Sequence, residues 1–239
     1  MERFKKMNKQ AIIMSKEVPV ANKIKTDLHE ILDIRYLTDS TFVLRIEKKE
    51  LDFEAGQHVC VGPPNGIHTR EYSIYSAEQD DCLEILVKEV ENGLVSPSLK
   101  KLQKGGFVVV EEPVGYFTIN KNLPANQKYV FIASGTGISP FHSFVLSKPD
   151  LNYTLLHGVK YAEEAYEADA FNKEDYVLCT SQESKGDYNG RVTDYLKTNS
   201  FGKDAHYYLC GNCNMIHDVY DILEEQGVST DNIHAEVYF

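Results

Sequence analysis

The strongest constraint on this chain is a change of rhythm near its middle. From Thr26 to about Ile119 the apolar residues come in short alternating runs. TFVLRIE alternates, HVCVGPP ends in a proline turn, and CLEILVKEV sets Leu83, Ile85 and Val87 on one face. FVVVEEPVGYFTI is a further β run, broken at Pro113 and Gly115. A two-residue period marks half-buried strands. Strands at this spacing, with one short helix among them, predict a closed antiparallel barrel. The helix is expected at SPSLKKL, with Ser96 as N-cap and Pro97 as its first residue.

The polar stretch KNLPANQ is the hinge. Beyond it KYVFIAS, NYTLLHGV, YVLCTS, HYYLCG and NIHAEVYF read as strands. Helices are expected between them, from ISPFHSFVLS, AEEAYEADAFN, RVTDYLKT and NMIHDVYDILEEQG. Strand–helix alternation is the pattern of a parallel sheet with crossover helices. The expected fold is therefore an N-terminal antiparallel β-barrel followed by a C-terminal parallel α/β sheet. The expected boundaries are a flexible basic tail over residues 1–25, a barrel domain over 26–121 and an α/β domain over 126–239.

The net charge of −11 argues against general nucleic-acid binding. It is unevenly spread: residues 1–25 hold seven basic against two acidic side chains. A leader of this kind serves targeting or docking to an acidic partner if it is more than a solvated tail. No stretch approaches the roughly 18 apolar residues of a membrane span, and AIIM is too short for a signal-peptide core. A cytoplasmic, monomeric protein is expected. The five cysteines, Cys60, Cys82, Cys179, Cys210 and Cys213, are odd in number and mostly far apart. That pattern suits neither a disulfide framework nor an iron–sulfur cluster. The eight histidines show no zinc-ligand spacing, so no metal is expected.

Two motifs carry chemistry. ASGTGISP follows the first strand of the second half, where Gly135 and Gly137 let backbone approach a phosphate and Pro140 suits a helix start. It lacks the third glycine of the dinucleotide fingerprint, and a plain turn reads equally well. REYSIYS, residues 70–76, lies in the barrel half. On a strand Arg70 and Tyr72 share one face while Ser73 points to the other. An unpaired arginine is poor core material, whereas guanidinium binds phosphate oxygens bidentately.

REYS, GLVSPSL, GTGISP and YLCGN, in this order and spacing, resemble the ferredoxin–NADP reductase family, with most likeness to its bacterial ferredoxin/flavodoxin–NADP reductases. The resemblance runs from about Thr26 to Phe239. It implies FAD as cofactor, NADP(H) as hydride partner with NADH as a second donor, and ferredoxin or flavodoxin as electron carrier. Arg70 would hold the FAD diphosphate, Tyr72 would stack on the isoalloxazine, and the Ser73 hydroxyl would approach flavin N5. Gly93, Leu94, Val95 and Ser96 would wrap the diphosphate, with Glu71, Val87, Lys88 and Thr136 also near FAD. Tyr238 would cover the flavin face that nicotinamide must reach, with Glu236 two places before it and Phe239 extending the platform. Gly135, Thr136, Gly137, Gly158, Gly211, Asn212 and Met215 would shape the NAD(P) site, with Cys210 beside the nicotinamide. Ser73, Cys210 and Glu236 would orient and polarise the reacting groups.

Cys210 alone would read as a buried strand cysteine, and CGNC invites a dithiol reading that its place in an α/β sheet does not favour. At the 2′-phosphate position, where the family's bacterial members read S-R-E, this chain reads SQE. Ser181, Lys160 and Arg191 remain as contacts, while Gln182 replaces an arginine. A moderate NADPH preference is expected. The alternatives are an NADH-dependent reductase of an oxygenase or cytochrome chain, and a flavin subunit that works only inside a larger complex.

Overall fold

The computed structural model describes residues 27–238. The basic tail and Phe239 lie outside them, so the expectations placed on those residues are not addressed.

The first half is an antiparallel barrel. Its strands are β1 (Leu28–Tyr36), β2 (Thr41–Glu47), β3 (His58–Gly62), β4 (Arg70–Ser73), β5 (Cys82–Lys88) and β6 (Phe107–Val110). They pair in the order β4-β3-β6-β1-β2-β5. An antiparallel bridge between Ile74 and Ile85 joins the two outer strands and closes the barrel. Alternation places Phe42, Leu44, Ile46, Ile85 and Val87 in one apolar core. The short helix α1 (Ser96–Lys100) starts one residue earlier than expected. Val95 is its cap, and the Ser96 hydroxyl instead accepts the Val90 amide at 3.0 Å, because the turn before the helix folds back on itself.

The second half is a parallel sheet. It comprises β7 (Lys128–Ser134), β8 (Asn152–Val159), β9 (Tyr176–Thr180), the two-residue β10 (Tyr188–Asn189), β11 (His206–Asn212) and β12 (Ile233–Tyr238). Their order is β10-β9-β8-β7-β11-β12, so the chain reverses direction across the sheet between β7 and β11. Helices α2 (Ser139–Ser147), α3 (Val192–Thr198) and α4 (Cys213–Glu225) fall where the apolar spacing places them. β10 was not expected; two residues are too few to carry a period.

The helix expected at AEEAYEADAFN does not form. The segment holds two single 3₁₀ turns, Ala162–Glu164 and Ala168–Ala170, with Glu167 between them in the left-handed region at φ 46°. Tertiary bonds explain it. Glu167 accepts from Arg35 Nε at 2.8 Å, Glu164 pairs with Lys88 at 2.7 Å, and the Tyr166 hydroxyl lies 3.2 Å from Thr41 Oγ1. All three partners belong to the barrel, so the segment straps the two halves together. Propensity is a weak prior that such contacts override. Under the strap the halves share one core, in which Phe117 of the barrel side meets Tyr208 edge-on at 5.3 Å and Phe144 at 6.2 Å. Among the described residues no helix is long and apolar enough to cross a membrane.

Candidate functional site

In an open parallel sheet the ligand crevice lies beyond the carboxyl ends of the strands, where the strand order reverses. Here that point is the β7–β11 pair, and two glycines let their ends come together. A Cβ on Gly137 would stand 2.2 Å from the Cys210 carbonyl oxygen. One on Gly211, which sits at φ +131°, would stand 2.3 Å from Ser134 Oγ. That hydroxyl instead accepts the Asn212 amide at 2.9 Å. Gly135 turns its α-carbon to open space at φ +54°, and the carboxyl ends enclose a cavity of about 620 Å³.

His157 fixes the first loop. Its Nε2 lies 2.9 Å from the Gly135 carbonyl oxygen, which can only accept, so Nε2 carries the proton and Nδ1 accepts from the Tyr176 hydroxyl at 2.8 Å. Burial drives the imidazole pKa down from 6.5 to about 4, so it stays neutral.

Most of the expected NAD(P) residues line this cavity: Gly135, Thr136, Gly158, Lys160, Ser181, Gln182, Arg191, Gly211, Asn212 and Met215. Gly137 and Cys210 stand behind its wall. Cys210 is fully buried, and burial pushes its thiol well above the ordinary range, which keeps it protonated. Ser181 Oγ already donates to the Val159 carbonyl at 3.2 Å. Among the described residues Lys160 and Arg191 make no ion pair, and both face the cavity. Asp218 and Glu164 also line it and were missed. Asp218 lies one helical turn after Met215, a spacing that would have placed both on one face.

On the barrel side Arg70 is exposed, and its Nη1 donates to the adjacent Thr69 carbonyl at 2.8 Å. Glu71 is exposed, Tyr72 half-buried and Ser73 buried. Burial raises the Tyr72 phenol to about 12. Val87 faces the barrel core, so only its backbone is available to a ligand, while Lys88 is held by Glu164 and lines the cavity. Gly93 spends its N–H on the Val90 carbonyl at 2.9 Å. Among the described residues the N–H groups of Leu94, Val95 and Ser96 find no backbone acceptor.

At the site itself a hydrogen bond joins the two sides. Ser73 Oγ on β4 donates to Glu236 Oε2 on β12 at 2.7 Å. Burial raises the Glu236 pKa, opposed by the Ser73 bond and by His58, whose Nδ1 lies 3.5 Å from Glu236 Oε1. Two residues along the same strand, the Tyr238 hydroxyl is buried beside Ser73, Ser139 and Cys210, yet among the described residues it meets no partner in hydrogen-bonding geometry. Tyr238 also lines the cavity, so it stands between Ser73 and the glycine loops. His58 was missed, because a lone histidine on a strand carries no signal of its own.

Residues 33–119 match the oxidoreductase FAD-binding domain and residues 131–221 the oxidoreductase NAD-binding domain. The chain belongs to the ferredoxin–NADP reductase family. It is an oxidoreductase with an FAD-binding and an NAD-binding half. A flavodoxin/ferredoxin–NADP reductase of Rhodobacter capsulatus is 26% identical over 253 residues, covering 90% of this chain and 92% of that protein. The toluate 1,2-dioxygenase electron transfer component of Pseudomonas putida is 28% identical over 87% of this chain, and a flavohemoprotein of Bacillus subtilis 28% over 78%. The chain spans only 66% and 52% of those two proteins. A ferredoxin NADP+ reductase from Neisseria gonorrhoeae, solved with bound FAD and NADP, superposes with a TM-score of 0.81 at 24% identity. That superposition covers 89% of this chain and 98% of the other.

The residues present fit FAD. The free amides of Leu94 to Ser96 and the exposed Arg70 guanidinium offer donors to a diphosphate. The buried Tyr238 hydroxyl, which has no hydrogen-bond partner among the described residues, leaves a polar atom for a ligand to meet.

Proposed function

We propose that this chain takes a hydride from NADPH, or less readily from NADH, and delivers the electrons singly to a small carrier protein, ferredoxin or flavodoxin. The observation that carries the reading is the Ser73–Glu236 hydrogen bond, which joins the FAD-binding half to the NAD-binding half beside the glycine-lined cavity. FAD, when bound, supplies the exchange between two-electron and one-electron chemistry.

The chain's own residues bind and orient. Arg70 and the amides of Leu94, Val95 and Ser96 hold the diphosphate, and Gly93 gives the turn its tightness. Tyr72 provides a flat, half-buried platform, while Ser73 holds its proton toward Glu236. Gly135, Gly137 and Gly211 bring backbone close to the second coenzyme, which Asn212 and Met215 border. Cys210, neutral and buried, contributes shape and exclusion of water rather than a thiolate. Tyr238 shields the junction and moves aside when nicotinamide enters. A cytoplasmic location accompanies this reading, as its carriers are small mobile proteins.

The coenzyme choice turns on charge. Lys160 and Arg191 favour a 2′-phosphate, whereas Gln182, the committed Ser181 hydroxyl and the nearby Asp218 favour NADH. The second reading, an NADH-dependent reductase for an oxygenase, rests on those last three. Steady-state turnover of the FAD-loaded chain with NADPH and NADH, first with ferricyanide and then with ferredoxin and flavodoxin, separates the readings. NADPH should have the higher kcat/KM, and both carriers should be tested as acceptors. A strong NADH preference without turnover on either carrier would favour the oxygenase reading.

A further inference from the structure

The segment that follows β4 runs along α2, and the two are fastened at several points. Ser143 Oγ donates to the Ser76 carbonyl oxygen at 2.7 Å, Ser147 Oγ accepts the Glu78 amide at 2.9 Å, and Gln79 Nε2 donates to the Leu146 carbonyl oxygen at 3.0 Å. The fastening closest to the site is an aromatic stack. The rings of Tyr75 and His142 lie 3.7 Å apart between centroids and 4° from parallel. His142 Nδ1 is 2.7 Å from the Tyr75 carbonyl oxygen, which can only accept, so Nδ1 carries the proton. Tyr75 and Ser143 are fully buried, and His142 is 5% exposed. The Tyr75 hydroxyl finds no partner in hydrogen-bonding geometry among the described residues, so the ring rather than the hydroxyl makes the joint.

Each ring sits close to one side of the redox site. Tyr75 comes two residues after Ser73, just beyond the strand that carries Tyr72, and its amide donates to the Glu84 carbonyl of β5 at 2.8 Å. His142 comes three residues after Ser139, whose Oγ donates to the Thr136 carbonyl at 2.8 Å and so ties α2 to the Gly135–Ile138 turn. We propose that Tyr75 and His142 are positioning residues for hydride transfer, whose stack sets the distance between the flavin-side strand β4 and the nicotinamide-side turn before α2. Neither ring lines the cavity, so both act through the backbone they hold. The reaction itself is unchanged: NAD(P)H gives up a hydride and leaves as NAD(P)+, and FAD takes the hydride up. The inference rests on the proposed electron-transfer reading.

The surroundings suit a spacer rather than a ligand or a charge. Burial lowers the pKa of His142 and raises that of the Tyr75 phenol, so both rings stay neutral. The strap covers the stack. Phe171 meets His142 edge-on at 5.9 Å, and His142 Nε2 stands 4.0 Å from Glu167 Oε2, on the carboxylate that Arg35 grips at 2.8 and 3.1 Å. The Ser73–Glu236 bond holds β4 to β12, and the stack holds its exit to α2. A single joint would let the strand pivot about it, whereas two joints to different elements of the sheet half fix its angle as well. Geometry matters here because a displacement of about 1 Å between reacting groups can lower a rate about a hundredfold.

The test compares Tyr75→Leu and His142→Leu with the conservative Tyr75→Phe in the full chain. Without FAD, hydrogen exchange read by mass spectrometry should quicken in both Leu variants over residues 70–76 and 135–142, while α3 and α4 keep the wild-type rate. With FAD loaded, stopped-flow should show hydride transfer from NAD(P)H slowed roughly ten- to a hundredfold. The dissociation constants of FAD and NADP+ and the reduction by dithionite should be unaltered. The long-wavelength charge-transfer band of nicotinamide against flavin should weaken in step. Tyr75→Phe, which keeps the ring, should rescue both the rate and the exchange pattern. A folded Leu variant with wild-type hydride transfer would overturn the proposal. Slowing matched by lost coenzyme affinity, or faster exchange across the whole chain, would overturn it too, since either marks general loosening. Failure of Tyr75→Phe to rescue would assign the effect to the hydroxyl and count against the stack. Should neither Leu variant fold, Ser143→Ala decides, because it removes only the neighbouring hydrogen bond. It should slow hydride transfer severalfold, and a wild-type rate counts against the proposal. A wild type that binds no FAD, or that neither coenzyme reduces, sinks the parent reading instead. The exchange pattern of the FAD-free chain still reports whether the stack joins the two stretches.

Discussion

The barrel and the parallel sheet meet their ligands in different ways. The barrel offers side chains: Arg70, Tyr72 and Ser73 project from one strand, and Arg70 is exposed with only a local bond to Thr69. The sheet offers backbone, and its key residues are glycines that also let β7 and β11 close together. Replacing a ligand-facing residue in the barrel should therefore cost binding, whereas in the sheet it should cost the fold as well.

The largest effect belongs to the sheet. In Gly137→Ala the new methyl would stand 2.2 Å from the Cys210 carbonyl oxygen, which is backbone and cannot swing away. Overpacking of this kind costs about 3 kcal/mol, so thermal unfolding should fall by several degrees and coenzyme binding should be lost with it. A variant of wild-type stability would show that the β7–β11 junction yields more readily than its geometry implies.

Acid sensitivity should also come from the sheet half. His157 has a folded pKa of about 4 against 6.5 unfolded. Between those values the unfolded chain binds a proton that the folded one excludes, so stability rises with pH. The contribution is complete above pH 6.5 and lost as pH falls to about 4, amounting to about 3 kcal/mol. Burial lowers His142, His206 and His234 as well, all in the same half and of the same sign. Denaturant unfolding of His157→Gln across pH 4–7 should give a flatter acid slope than the wild type.

In the barrel, Arg70→Ala should leave the melting temperature of the FAD-free chain unaltered. Loss of a charge-assisted hydrogen bond costs roughly 1.5–3 kcal/mol, so FAD affinity should fall about ten- to a hundredfold. Isothermal titration with FAD checks both halves of that statement. The smallest effect concerns coenzyme choice: Arg191→Ala should lower the kcat/KM for NADPH with little change for NADH, and Gln182→Arg should do the reverse for selectivity. Equal weakening of both coenzymes by Arg191→Ala would mean that it does not read the 2′-phosphate.

The same contrast explains what could be read in the sequence. Strand and helix periods revealed the antiparallel and the parallel half, because each period is local. The strap over residues 161–171 was misread as a helix, since what decides it is Arg35, Lys88 and Thr41, more than seventy positions away. Ser73 and Glu236 lie 163 residues apart, and only the family resemblance put them, with Cys210, at one site. His58 stayed hidden for the same reason, as nothing local announces a partner on β12. The Ser96 hydroxyl was assigned a cap by a rule of sequence, and the fold of residues 90–95 gave it to Val90 instead.

The most direct measurement is an anaerobic spectral titration of the FAD-loaded chain with NADPH. One FAD per chain is expected, with bleaching of its visible absorbance by about one equivalent of coenzyme. In Glu236→Gln the flavin should still bind but be reduced more slowly, because the bond that joins the two halves has lost its charge. A chain that retains no FAD, or a bound flavin that neither NADPH nor NADH reduces, would contradict the claim that the two halves form one redox site.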